Sequence, residues 1–157
     1  MCKTSRYDQY YIDLAHVTSS MSYDTKTKVG CLIVKDGQIL SQGWNGMPSG
    51  MDNDMRCGNG HTRREVIHSE ANALMKLARN GGSSEDSTLY STHSPCWECA
   101  KLILQSGIAR IVFSEVYDPT SWQFLQEHLG KENVHGGVQP SNRISSREDK
   151  EDACKSS

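Results

Sequence analysis

His68, Glu70, Cys96 and Cys99 are the residues of this chain whose types and spacing fit a reaction centre. They fall in two short pieces, His68-Ser69-Glu70 and Pro95-Cys96-Trp97-Glu98-Cys99. One imidazole and two thiolates supply three of the four ligands that Zn²⁺ prefers. A three-ligand set leaves the fourth position for water, which separates a catalytic zinc site from a closed structural one. Zinc lowers the pKa of such a water from about 15.7 to about 7, so hydroxide becomes available at neutral pH. Residues two apart on a helix point in different directions, so Glu70 does not easily join His68 as a ligand. Its carboxylate can still reach the water, take a proton from it and pass that proton on. Cys-x-x-Cys alone would serve a structural zinc knot or a redox pair about as well. The upstream His-x-Glu and the Pro directly before Cys96 favour the catalytic arrangement, and neither piece has a fourth Cys or His at ligand spacing beside it.

Several elements must position these groups. Tyr7, Tyr10, Tyr11, Leu14, Ala15 and Thr18 repeat at helical spacing. The β-branched run Val29 to Val34 reads as a buried strand, Asp36-Gly37 as a hairpin turn and Gln38 to Gly43 as the returning strand. Asn45 to Arg64, rich in Gly, Asn, Asp and Pro, reads as a long loop. Ile67 to Arg79 is predicted helical, stopped by Asn80-Gly81-Gly82, which puts His68 and Glu70 in its first turn. Thr88 to Thr92 is a third strand. Ser94 reads as an N-cap and Pro95 as the first helical residue, placing Cys96 and Cys99 on one face of a second first turn. Both helix starts would favour thiolate over thiol. Ile108 to Phe113 follows as a fourth strand, which implies a right-handed parallel crossover. A helix through Trp122, Leu125 and Leu129 and a short strand near Val134 complete an α/β fold in three layers, a five-stranded mixed sheet flanked by helices. Residues 1–140 read as a single domain and the charged stretch 141–157 as a disordered polar tail.

The chain has 157 residues, a net charge of −2 and mixed signs throughout, without the basic face of a polynucleotide binder; a free small substrate is favoured. Its six Cys have no disulfide-framework spacing. There is no signal-like apolar segment and no run of eighteen apolar residues. These features read as a cytoplasmic protein with reduced thiols and no membrane partner.

The two pieces together read H-x-E…P-C-x-x-C, the signature of the zinc nucleobase deaminases. With Lys28-Val29-Gly30-Cys31, Gly43-Trp44-Asn45-Gly46-Met47-Pro48-Ser49-Gly50, Thr92-His93-Ser94 before the Cys pair, and Tyr117-Asp118, the chain resembles the deoxycytidylate (dCMP) deaminases from about residue 5 to about 135. The Asn-Gly-x-Pro-x-Gly segment is the more discriminating piece, since the zinc motifs are shared with cytidine and tRNA adenosine deaminases. The resemblance implies the cytidine-deaminase-like fold, hydrolysis of dCMP to dUMP and ammonia for thymidylate synthesis, and a homohexamer, in many members activated by dCTP with Mg²⁺ and inhibited by dTTP. It implies that His68, Cys96 and Cys99 hold zinc, that Glu70 shuttles protons, and that Asn45 bonds the deoxyribose hydroxyl. It further implies that Ser69 offers its backbone N–H to the pyrimidine O2 and that Ser94 and Tyr117 belong to the substrate site. Most relatives carry Ala where this chain has Ser69, whose hydroxyl either adds a contact or is simply tolerated.

A monophosphate needs charged donors. Lys26, Lys28, Arg63, Arg64 and Arg110 are the candidates, Lys28 first because it enters the strand beside the Asn45 loop. Cys57 and His61, at C-x₃-H spacing in the long loop, offer part of a second metal site, with Cys31 or Cys2 as helpers. Three other readings remain open: a modified dCMP as substrate, a tRNA adenosine or nucleoside deaminase, and a non-catalytic zinc-stabilised regulatory subunit.

Overall fold

In the computed structural model, residues 5–142 are described. The tail expected from residue 141 lies outside them from 143 onward, as do Cys2 and Cys154. The sheet consists of β1 (Gly30–Lys35), β2 (Gln38–Trp44), β3 (Thr88–His93), β4 (Arg110–Glu115) and β5 (Val134–His135) in the order β2-β1-β3-β4-β5. β1 runs antiparallel to both β2 and β3, whereas β3, β4 and β5 are mutually parallel neighbours. Asp36 (φ 50°) and Gly37 (φ 74°) form the tight β1–β2 turn, with the two positive φ angles that a two-residue hairpin requires.

Alternation along the strands builds two cores. Leu32 and Val34 of β1, with Tyr90 of β3 and Val112 of β4, pack against Tyr11, Ile12 and Ala15 of α1 (Arg6–Ser19). On the opposite face, Cys31, Ile33, Leu89, Ile111 and Phe113 pack against α2 (Ser69–Arg79), α3 (Trp97–Gln105) and α4 (Pro119–Leu129), through Leu74, Leu77, Ile103 and Leu125 among others. The result is the expected three-layer arrangement. An ionic cluster ties α1 to the sheet: Arg110 donates to both oxygens of Asp8 at 2.7 Å, and the Tyr90 hydroxyl donates to Asp8 Oδ1 at 2.8 Å.

One glycine brings α2 against the sheet. A methyl group at Gly43 would collide with the Ser69 carbonyl and the Ala73 amide, so only glycine lets the first turns of α2 lie directly on β2. The connection from Asn45 to His68 is irregular but tethered. Gly46 bridges to Ile67 and Arg56 to Thr62, and Met55 is buried. Among the described residues, no helix is long and apolar enough to cross a membrane.

Candidate active site

Two helix starts meet at one point, and each is finished by a cysteine sulfur. His68 is the N-cap of α2 rather than a first-turn residue, and its side chain makes no capping hydrogen bond. The cap comes instead from α3, because the Ala71 amide in the first turn of α2 donates to the sulfur of Cys99. Cys96 caps its own helix by accepting from the Cys99 amide at 3.5 Å. The cap reading of Ser94 is therefore corrected by two residues. Ser94 Oγ accepts from the amides of Tyr117 (2.7 Å) and Asp118 (3.1 Å), and it anchors the β4–α4 loop.

His68 Nδ1 lies 3.3 Å from Cys96 Sγ and 3.6 Å from Cys99 Sγ. Ligands held at the usual Zn–N and Zn–S distances and a tetrahedral angle stand about 3.5 Å apart, so the trio fits Zn²⁺ in both donor chemistry and spacing. Among the described residues it is the only group of three or more His, Cys, Asp or Glu side chains close enough to share a metal. The trio is electrostatically tense without a cation. Hydrogen bonds from Cys99 and His68 pull the Cys96 thiol down to about 4, while the adjacent Cys96 sulfur and burial push Cys99 up. His68 is raised, chiefly by its hydrogen bond to Cys96. Two sulfurs thus compete for one proton, and a divalent cation relieves the competition by stabilising both as thiolates.

Glu70 shares a cavity wall with His68 and Cys96 of this trio and is itself only 4% exposed. Burial raises its carboxyl pKa, opposed by its own backbone amide and by the Ser69 hydroxyl, which donates to Oε2 at 3.0 Å. Ser69, Asn45, Ser94 and Tyr117 line the same cavity, together with Asp24, Thr27, Val29, Arg56 and His93. Burial lowers the pKa of His93, favouring the neutral ring, whose Nδ1 is paired with Thr92 Oγ1 at 2.8 Å.

Asn45 is more constrained than its amide chemistry suggests. Nδ2 donates to Thr27 O at 2.9 Å and to Asp24 Oδ2 at 3.3 Å, while Oδ1 accepts from the Val29 amide at 2.9 Å. Both donor hydrogens are committed, which leaves one Oδ1 lone pair for anything bound in the cavity. Ser94 is the reverse case, since its oxygen accepts twice and its hydroxyl hydrogen remains available.

None of the five cations expected near a phosphate lines this cavity. Arg110 is committed to Asp8, Lys26 donates to Gly60 O, and Arg63 pairs with Asp52 and Glu65. Lys28 and Arg64 are exposed, and Lys28 sits between two wall residues, Thr27 and Val29. The cation that does reach the wall, Arg56, escaped the sequence reading. Its guanidinium grips both oxygens of Asp24, and Nη1 donates to Thr62. Nothing in the spacing of Asp24 and Arg56 announces this pair. Cys57 and His61 face each other across a turn, the Cys57 amide donating to His61 O at 2.8 Å, but no third ligand joins them among the described residues. Cys31 cannot assist, because its sulfur is fully buried in β1 and donates to Ser69 O. Trp97 turns away from the cavity to stack on Phe124 and to donate to Thr120.

Comparison with known proteins agrees with this geometry. Residues 5–115 match the model of the cytidine and deoxycytidylate deaminase zinc-binding region. The deoxycytidylate deaminase of Enterobacteria phage T2 is 32% identical over 77% of this chain and 87% of its own length. That of Mycobacterium phage D29 is 34% identical over 68% and 93%. The crystal structure of dCMP deaminase from the cyanophage S-TIM5 in complex with dCMP and dUMP superposes with a TM-score of 0.77 at 37% identity, over 83% of this chain and 96% of that one. With its His-Cys-Cys trio as the candidate zinc site, the chain belongs to the cytidine and deoxycytidylate deaminase family of zinc-dependent enzymes.

Proposed function

We propose that this protein hydrolyses dCMP to dUMP and ammonia, supplying dUMP for thymidylate synthesis. The observation that carries the reading is the buried Glu70 carboxylate in the wall of a cavity lined also by Asn45 and by His68 and Cys96 of the His68–Cys96–Cys99 trio. Those three side chains would hold Zn²⁺, which when bound supplies a Lewis acid that brings the pKa of water toward neutrality.

The remaining steps fall to the protein's own groups. Glu70 accepts a proton from the attacking water and delivers it to the ring nitrogen, then carries the second proton of that oxygen to the amine, which leaves as ammonia while the ring carbonyl forms. The Ser69 amide, first of α2 and therefore without an intrahelical acceptor, donates to the pyrimidine O2. Asn45 accepts from the deoxyribose hydroxyl with its one free lone pair. The Ser94 hydroxyl and the Tyr117 ring border the substrate. Lys28, exposed on the rim between Thr27 and Val29, is the phosphate partner; Arg56 is not chosen, because its charge is already met by Asp24.

Residues 1–140 act as one deaminase domain in a cytoplasmic protein, as composition and patterning suggest; the homohexamer and its activation by dCTP with Mg²⁺ and inhibition by dTTP follow from the family resemblance. Ammonia release from dCMP, with deoxycytidine, CMP, dCTP, 5-methyl-dCMP and adenosine in parallel, tests the reading on zinc-loaded protein with and without dCTP and Mg²⁺. Selective turnover of dCMP is expected. Zinc-loaded protein that is silent on dCMP under both conditions would overturn the assignment, and hyperbolic kinetics indifferent to dCTP and dTTP would remove the regulatory part.

A further inference from the structure

Ser69 occupies the position between a metal ligand and the proton-shuttling carboxylate, and its side chain is engaged. The hydroxyl donates to Glu70 Oε2 at 3.0 Å, and among the described residues it has no other hydrogen-bond partner. Ser69 is fully buried and Glu70 nearly so, which shields the contact from competition by bulk water. The Ser69 backbone is fixed from behind by the Cys31 thiol, which donates to its carbonyl at 3.1 Å. Close approach of β2 at Gly43 holds the same turn in place.

We propose that Ser69 is a positioning residue for the deamination chemistry: its hydroxyl pins one oxygen of Glu70 and leaves the other to carry the proton. This rests on the deaminase reading above. A glutamate side chain has several rotatable bonds, and a general base works only within hydrogen-bond reach of the proton it takes. Glu70's own amide already restrains the carboxylate from the backbone side. The Ser69 hydroxyl supplies a second restraint, so the orientation of the plane is fixed and the two oxygens become inequivalent. An alanine there would leave a buried carboxylate oxygen short of a donor and free to turn.

The test is steady-state deamination of dCMP by zinc-loaded wild type, Ser69→Ala and Ser69→Thr, with zinc content and thermal midpoint measured on each. Ser69→Ala is expected to lose about 10-fold in kcat with KM within about twofold, at unchanged zinc content and melting temperature, because misplacing a reacting group costs rate rather than ground-state binding. Ser69→Thr, which keeps the hydroxyl, should recover most of kcat. Wild-type kcat in Ser69→Ala, a loss confined to KM, or equal impairment of folded Ala and Thr variants would overturn the proposal. Should the extra methyl of Thr prevent folding, the solvent deuterium isotope effect on kcat of Ser69→Ala decides: an increase is expected, and an unchanged value would overturn it. Wild-type turnover of dCMP separates the two claims, since its absence sinks the substrate assignment, whereas the variant-to-wild-type ratio addresses Ser69 alone.

Discussion

Asn45 donates its side-chain amide to Asp24 at 3.3 Å, and Asp24 in turn is held through both oxygens by Arg56. The side chain proposed to read the sugar is therefore oriented by an ion pair that spans from the residues before β1 to the long loop after β2. Asp24 is nearly inaccessible, so Arg56→Ala would strand its charge; burial would then raise its pKa with the main opposing partner gone. Breaking a buried pair from one side costs about 3–5 kcal/mol, and the smaller end of that range is expected because Arg56 is partly exposed. Urea unfolding should record the loss, and KM for dCMP should rise several-fold, with zinc content unchanged.

Lys28→Ala should discriminate between nucleotide and nucleoside. Hydrogen bonds to charged groups contribute about 1.5–3 kcal/mol, equivalent to about 10- to 100-fold. KM for dCMP is expected to rise within that range while KM for deoxycytidine stays put. An equal change for both would return phosphate recognition to other residues.

Metal removal should loosen structure as well as stop turnover. Cys99 is both a candidate ligand and the acceptor for the Ala71 amide, so Cys99→Ala deletes one corner of the trio and the cap of α2 together. Loss of an N-cap costs about 1 kcal/mol, and loss of the bound metal adds its linked stabilisation. Chelated wild type should melt below zinc-loaded wild type, and Cys99→Ala should melt lowest and show no response to added zinc.

Acid stability has a separate source. Burial raises the Asp8 carboxyl, but hydrogen bonds from Arg110 and Tyr90 outweigh it and bring its pKa from 3.8 to about 2. Because the folded value is the lower one, the unfolded chain binds more protons between these limits. The stabilisation is thus complete above about pH 4 and lost as pH falls toward 2, at about 2 kcal/mol in all. Arg110→Gln should flatten that part of the stability profile in pH-dependent urea titrations, with little effect on the zinc trio.

Much of this architecture was legible in the chain. The β-branched run before Asp36-Gly37, that turn itself and the apolar stripes of the helices each forecast their elements, because local preference and burial agree there. The start of α3 misled for a physical reason: Ser followed by Pro is a sound cap signal, but the Ser94 hydroxyl is claimed by amides more than twenty residues away. A thiol then takes the capping place, and thiols stand outside the usual set of cap residues. Arg56 was invisible for a related reason. Its partner lies 32 positions earlier, and only the folded loop joins them. The candidate trio could be read because the spacing is local within each piece and the donor chemistry is narrow.

The two sulfur-capped helix starts, one of them backed by Gly43, and the loop from Asn45 to His68 divide the labour unequally. The atoms that would perform the reaction sit at the starts of helices seated in the larger core, whereas part of the wall that would recognise the rest of a ligand belongs to an irregular segment tied to the residues before β1 by the Arg56–Asp24 ion pair. Metal binding and ligand preference are consequently expected to respond to different substitutions in this scaffold. Exchange of loop residues that line the cavity is therefore expected to change which ligand is accepted more than it changes metal binding by the trio.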